Sequence, residues 1–199
     1  MVVEANFYEV YLNQGYEQRI NMILKNYTSF PRMIDGFEEE LCDTIIEERA
    51  YNRRAEMGDL GVRVQTSGHS DPTFKAAMNH LTTLEIIRKE DLRSGALAGT
   101  DEVEKHIMEI RVLNMMRNDY KSVVRAIGAT LDDDERDELE LTLKRKGQIA
   151  MISEERGIEV DSVRKRLKRS RLKVRKQAIV YMEKRYKENS LIWDTEEKQ

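Results

Sequence analysis

The residues best suited to chemistry lie between Val160 and Lys187, where lysine and arginine recur through a helical pattern. Twelve basic residues stand there against two acids, Asp161 and Glu183, which gives this stretch a net charge of +10. The whole chain has a net charge of −3, so the remainder carries −13. Like charges on one helix repel, and a bound polyanion relieves that repulsion and releases counterions. The pattern favours nucleic acid as the partner; the alternative is a solvated basic face on an ordinary helix.

A helix, a turn and a second, longer helix can be read from residues 148–187. Ile149 and Ile152 have the i, i+3 spacing of a short apolar face. Gly157 supplies the backbone freedom that a tight turn between helices needs. Beyond it, Val163, Leu167 and Val174 form one apolar stripe at helical spacing. These features predict a helix-turn-helix whose turn is at Gly157.

We predict that the second helix contacts DNA through the side that faces away from its apolar stripe. The eight residues placed there are Asp161, Ser162, Arg164, Lys165, Arg166, Lys168, Arg169 and Arg171. Lys165, Arg166 and Arg169 are the best suited to contact guanine edges or phosphate, and Asp161 and Ser162 can contribute at base edges. Arg164, Lys168 and Arg171 flank them and should bind backbone phosphates.

The turn resembles the helix-turn-helix of region 4 of bacterial sigma factors. The residues that carry the resemblance are Gly157, Ile158, Glu159, Val163, Arg164, Leu167, Lys168, Arg169 and Arg175. Ser153, Arg156 and Glu159 stand where region 4 usually has Ala, Leu and Ser. The resemblance implies a recognition helix that enters the major groove with its N-terminal turns deepest.

A second resemblance covers roughly residues 50–180. Ser67-Gly68 and Asp71-Pro72-Thr73, a long linking helix and then Leu-Asp-Asp-Asp-Glu-Arg at 131–136 precede the region 4-like motif. This order is similar to that of phage transcriptional regulators of the RinA and ArpU type, which are sigma-like activators of late genes. The resemblance implies double-stranded DNA as one partner and RNA polymerase as another. Residues 1–50 carry no region 2 motif, which a self-sufficient sigma factor needs.

Composition predicts an all-α protein. Charged residues make up 36% of the 199 positions and aromatic residues 7%, with only two prolines, and helix-forming residues dominate. The sequence divides into an N-terminal helical region at 1–57, a loop at 58–71 with a strand considered at 60–64, and a helical hairpin at 72–128. A helix-turn-helix domain at 129–188 and a frayed tail at 189–199 complete the prediction.

Several helix ends can also be predicted. Asp71 and Pro72 resemble an N-cap followed by proline at the first helical position, and the acids from Asp132 open another helix. Pro31 is expected to stop a helix, and Gly128 is expected to end the long helix that begins near Asp101. The apolar stripe of that long helix either packs on the 72–92 helix or forms the seam of a homodimer.

The sequence carries no recognisable catalytic or metal-binding motif. His69, His80 and His106 fall on separate elements far from Cys42, and no zinc spacing, phosphate-binding loop or nucleophile motif is present. We therefore expect no enzyme activity, no metal and no cofactor. A lone cysteine allows no internal disulfide, no apolar run reaches about 18 residues and no secretion signal is present. These features predict a cytoplasmic protein with no membrane partner.

Three functions compete on the sequence. The first is a DNA-binding activator that contacts RNA polymerase. The second is an alternative sigma factor that binds core polymerase directly, with its N-terminal helices as a diverged region 2. The third is a DNA-packaging adaptor like a small terminase subunit, in which a helix-turn-helix and a long helix assemble into rings.

Overall fold

The computed structural model describes residues 7–57, 71–90, 92, 95, 97–145 and 147–196, with side chains of the last helix described as far as Lys187. Every regular element in these residues is an α-helix, so the all-α prediction is confirmed. The helices are α1 (Phe7–Leu12), α2 (Tyr16–Lys25), α3 (Phe30–Met57), α4 (Pro72–Lys89), α5 (Val103–Thr130), α6 (Asp133–Lys144), α7 (Ile149–Arg156) and α8 (Val160–Glu196).

The helices belong to two compact units. Unit 1 consists of Met1–Pro31 and Met116–Gln199, and unit 2 consists of Arg32–Met115. The division falls inside α3 and α5. The predicted loop at 58–71, apart from Asp71, and the strand considered at 60–64 lie outside the described residues.

Two of the predicted helix starts have the expected caps. The Asp71 carboxylate accepts hydrogen bonds from the backbone amides of Thr73 at 2.9 Å and Phe74 at 3.2 Å, with Pro72 at the first helical position. The Asp132 carboxylate accepts from the amide of Glu135 at 2.8 Å. Each cap satisfies amides that have no partner within their own helix.

Three predicted ends are wrong. Pro31 does not stop a helix: α2 already ends at Lys25, and Pro31 lies in the first turn of α3, where its missing N–H costs nothing. Gly128 lies inside α5, which continues to Thr130. A helical glycine costs only about 1 kcal/mol, and the buried neighbours Ala126 and Ile127 hold this turn in place. The backbone of α8 is helical to Glu196, where a frayed tail was expected.

Unit 2 has a core built from α3, α4 and the beginning of α5. Its fully buried side chains include Cys42, Ile45, Ile87 and Ile110. Burial raises the pKa of the Cys42 thiol to about 11, and the thiol donates to the carbonyl of His80 at 3.6 Å. This cysteine is therefore a small core residue rather than a reactive group.

A buried histidine joins α3 to the start of α5. His106 is completely buried, with Nε2 2.6 Å from Glu48 and Nδ1 3.3 Å from Glu109. Glu48 also accepts from the backbone amides of Asp101 at 2.6 Å and Glu102 at 3.0 Å. Burial opposes ionisation of Glu48, but these hydrogen bonds outweigh it and lower its pKa. The cluster fixes the N-terminus of α5.

The apolar stripe of α5 is filled within the chain. Ile110, Leu113, Met116 and Ile127 are at most 2% exposed, and Asn114 donates to the carbonyl of Ile87 on α4 at 3.5 Å. This helix, described over its whole length, therefore keeps no continuous apolar seam for a second copy of the protein.

Candidate nucleic-acid interface

The turn between α7 and α8 is a Schellman motif centred on Gly157. Gly157 has a left-handed backbone with φ of 62°. The Gly157 amide donates to the carbonyl of Glu154 at 3.3 Å, and the Ile158 amide donates to the carbonyl of Ser153 at 3.1 Å. The Ser153 hydroxyl donates in turn to the Ile158 carbonyl at 2.5 Å. These bonds satisfy the last carbonyls of α7 and set the direction in which the chain leaves it.

The inner face of α8 is anchored along its described length. Its buried side chains recur at helical spacing and are Val163, Leu167, Ser170, Val174, Ala178 and Met182, none more than 5% exposed. Leu139 of α6 and Ile152 of α7 are buried in the same unit. The inner stripe predicted at Val163, Leu167 and Val174 is buried, as its spacing requires.

Ion pairs tie α6 to α7 and to α8. Glu138 of α6 is 4% exposed, and its Oε1 lies 3.2 Å from Nη2 of Arg166 and 3.6 Å from Nε of Arg156. Arg156 also binds Asp134 at 2.9 Å, and this hydrogen bond lowers the pKa of Asp134. Because Glu138 is buried, its two arginine partners hold the three helices in register.

A second anchor holds the far end of α8. Asp119 of α5 is fully buried. Its Oδ1 accepts from the Tyr186 hydroxyl at 2.6 Å, its Oδ2 accepts from the Tyr11 hydroxyl at 3.0 Å, and Nε of Arg19 lies 3.3 Å from Oδ2. Burial raises the pKa of Asp119 to about 6 although Arg19 and the hydroxyls lower it. We call these four residues the Asp119 cluster; it joins α1, α2, α5 and α8.

Aromatic rings enclose the cation of this cluster. The Arg19 guanidinium lies 5.1 Å from the centre of the Tyr16 ring, 5.4 Å from that of Tyr186 and 5.7 Å from that of Tyr11. Burial and the adjacent carboxylate raise the pKa of both Tyr11 and Tyr186. The hydroxyls therefore stay protonated and remain donors to Asp119.

The structure leaves most of the predicted DNA-contacting residues on the surface. Seven of the eight are exposed, namely Asp161, Ser162, Arg164, Lys165, Lys168, Arg169 and Arg171. Arg164 pairs with Asp161 one turn earlier at 2.8 Å. Within the described part of the chain, no carboxylate lies in salt-bridge range of Lys165, Lys168, Arg169 or Arg171. The eighth residue, Arg166, is half-buried and bound to Glu138.

A groove beside α8 collects four cations in one row. It has a volume of about 400 Å³, and its cationic lining is Arg164, Lys168, Arg171 and Arg175. The i, i+4, i+7, i+11 spacing runs along about 16 Å of helix, comparable to a few phosphates along one DNA strand. The sequence analysis predicts phosphate contacts for Arg164, Lys168 and Arg171 but does not include Arg175, which lines the same groove.

A second groove, between α6 and α7, has the opposite charge. Its lining combines the carboxylates of Asp137, Glu138, Glu140 and Glu155 with the cations of Lys144 and Arg156. The net charge of this groove is therefore −2, opposite in sign to the charge of the row on α8.

A metal site and a membrane span each place requirements on the described residues. No three His, Cys, Asp or Glu side chains among them are grouped to hold a metal ion. None of the described helices combines the length and apolar character needed to traverse a lipid bilayer. The described residues thus offer the cationic surface of α8 as the main candidate site.

Comparison with known proteins identifies no relative. No family model matches this sequence, and no curated protein or solved structure is significantly similar to it. The case for a function therefore depends on the residues and geometry described above.

Proposed function

We propose that this protein is a sequence-specific double-stranded DNA-binding regulator of transcription, an activator of the sigma-like kind found in phages. The N-terminal half of α8 lies in the major groove. The observation that carries the proposal is the pairing of a Schellman turn at Gly157 with a helix that is buried on one side and densely cationic on the other. This arrangement matches the requirement of a recognition helix.

Within this proposal the cations of α8 have three roles. Lys165 and Arg169 point away from the buried stripe and have no acidic partner in the described residues, so they contact base edges. The row of Arg164, Lys168, Arg171 and Arg175, here called the phosphate row, binds one strand. Arg166, which the sequence placed among the base-contacting residues, is a positioning residue because it is bound to Glu138.

The test is binding of duplex DNA by the full chain, measured by fluorescence anisotropy. A high-affinity duplex is first selected from a random 20-bp pool. Lys165→Ala and Arg169→Ala should each weaken its binding by about 1–3 kcal/mol, which is roughly five- to 150-fold, and should weaken a mixed-sequence duplex less. Lys121→Ala removes an equal charge from an exposed site on α5 and should leave affinity nearly unchanged.

Two results would overturn the placement of α8. One is the absence of salt-dependent duplex binding by the wild-type protein. The other is an equal loss of affinity in Lys121→Ala, because the contacts would then reflect net charge and not this helix. Arg166→Ala should lower the melting temperature as well as affinity, since it leaves Glu138 with one partner fewer.

The polymerase contact is the part of the proposal that rests on the resemblance to region 4. It is tested by transcription in vitro from a promoter overlapping the selected site. An activator stimulates holoenzyme and does nothing with core polymerase alone. Transcription with core polymerase alone would instead identify a sigma factor.

A further inference from the structure

An apolar stripe on α4 has no cover among the described residues. Phe74, Met78 and Leu81 are 63%, 46% and 60% exposed and lie at i, i+4 and i+7. All three large apolar side chains therefore share one helical face over two turns. Exposed apolar surface that is continuous in this way marks an interface more often than chance exposure does.

The stripe faces away from the rest of unit 2. The face of α4 that packs within the unit carries Thr83, Leu84 and Ile87, which are at most 5% exposed. At 100° per residue, Phe74, Met78 and Leu81 project from roughly the opposite side of the helix. Among the described residues of the unit, neither α3 nor α5 covers the stripe.

The charges beside the stripe match those of a second copy of the same helix running the other way. Asp71 stands at the start of α4, where it caps the helix, and Lys89 stands at its end. Lys75 and Glu85 lie symmetrically about position 80, and Glu85 also pairs with Lys89 along the same helix. An antiparallel copy centred there brings Lys75 near Glu85 of its mate and Asp71 near Lys89. A parallel copy would instead place each charged residue beside the identical residue of the other copy, and this repulsion is unfavourable.

We propose that this protein forms a homodimer in which two α4 helices pack antiparallel through Phe74, Met78 and Leu81. Met78 and Leu81 lie on either side of the two-fold axis and interdigitate with the same residues of the mate. Phe74 packs on the aliphatic stems of Glu85 and Lys89 from the mate. The contact is isologous, so it closes after two copies.

The dimer is tested by sedimentation equilibrium of the full chain without DNA. An 18-residue helix gives a seam at the small end of specific interfaces, so we expect dissociation in the micromolar range. Phe74→Glu combined with Leu81→Glu should give a monomer at every concentration that can be measured. Met151→Glu changes another exposed apolar residue and should leave the dimer intact.

Charge reversal tests the antiparallel register. Lys75→Glu and Glu85→Lys should each weaken the dimer roughly three- to thirtyfold, because each creates two like-charge pairs. The double variant should recover most of the loss. Failure of the double variant to recover would contradict the proposed register.

Cysteine cross-linking tests the direction of the helices. In the proposed dimer, position 81 lies about 3 Å along the helix axis from position 81 of the other copy. Leu81→Cys should therefore form an intermolecular disulfide. Phe74→Cys lies about 18 Å from its mate and should not. The native Cys42 is buried and does not interfere.

Four results would overturn the proposal. They are a monomeric wild-type protein, a dimer unaffected by the glutamate pair, disulfides at both cysteine positions, and an assembly larger than two. Strong amide protection of residues 72–82 in a monomer would assign the stripe to another segment of the same chain.

Discussion

At the scale of single residues, the least expected feature is the carboxylate of Asp119. A pattern of helical spacing treats an aspartate as a surface residue, yet this one is fully buried among Tyr11, Arg19 and Tyr186. Its partners are distant in sequence; Tyr11 precedes it by 108 positions. No local signal could have revealed the cluster, because the burial of a charge depends on which partners the fold brings to it.

The pKa of Asp119 makes a prediction for stability. Its folded value of about 6 lies above the ordinary 3.8, so between these values the folded protein binds more protons than the unfolded chain. Its contribution to stability is full below about pH 4 and is lost as pH rises through 6. The unfolding free energy of wild type minus that of Asp119→Asn should fall by roughly 2–4 kcal/mol from pH 4 to 7.

Urea unfolding at several pH values measures this difference. Tyr186→Phe is the matched variant, because it keeps the carboxylate and removes a hydrogen bond that lowers its pKa. In Tyr186→Phe, the loss of the stability contributed by Asp119 should occur at a higher pH. A difference between wild type and Asp119→Asn that stays constant from pH 4 to 7 would contradict the raised pKa.

At the scale of elements, some features are legible in sequence and others are not. The turn at Gly157, the stripe of α8 and the caps at Asp71 and Asp132 were predicted because each depends on residues within a few positions. Gly128 was misread because the packing that carries a helix through a glycine is tertiary. The ion pair of Arg166 could not be predicted because its partner Glu138 lies on another helix.

The turn at Gly157 gives a prediction at the scale of elements. Valine at position 157 must adopt φ near 62°, which costs about 1–2 kcal/mol for ordinary residues and more for a β-branched one. Gly157→Val should therefore lower the melting temperature and weaken DNA binding, because the angle between α7 and α8 changes. Both are measured on the full chain by circular dichroism and anisotropy.

Gly128→Ala is the control for this experiment. Gly128 is helical, and an added methyl group meets nothing within 4 Å, so alanine should stabilise the protein by about 0.5–1 kcal/mol. An unchanged melting temperature and unchanged DNA binding in Gly157→Val would refute the role of the turn.

At the scale of the whole molecule, charge is unevenly distributed along the chain. The stretch from Val160 to Lys187 carries +10 in a chain of −3. If the proposed function is correct, duplex binding should therefore be strongly salt-dependent.

The phosphate row predicts the size of that dependence. Lys168→Ala combined with Arg171→Ala should reduce the slope of log affinity against log salt by about 2, one for each lost phosphate contact. Selected and mixed-sequence duplexes should be affected alike, because phosphate contacts carry no sequence information. Lys25→Ala with Lys121→Ala is the matched control. An equal change of slope in this variant would show that the salt dependence reflects net charge and not contacts made by α8.

The inner and outer faces of α8 have one more consequence, for how such a protein can diversify. The buried side chains that anchor α8, from Val163 to Met182, include none of the exposed cations. If Lys165 and Arg169 contact bases as proposed, exchanging them should change the preferred target without repacking any core. A library randomised at those two positions should yield mostly folded members whose selected duplexes differ from one another.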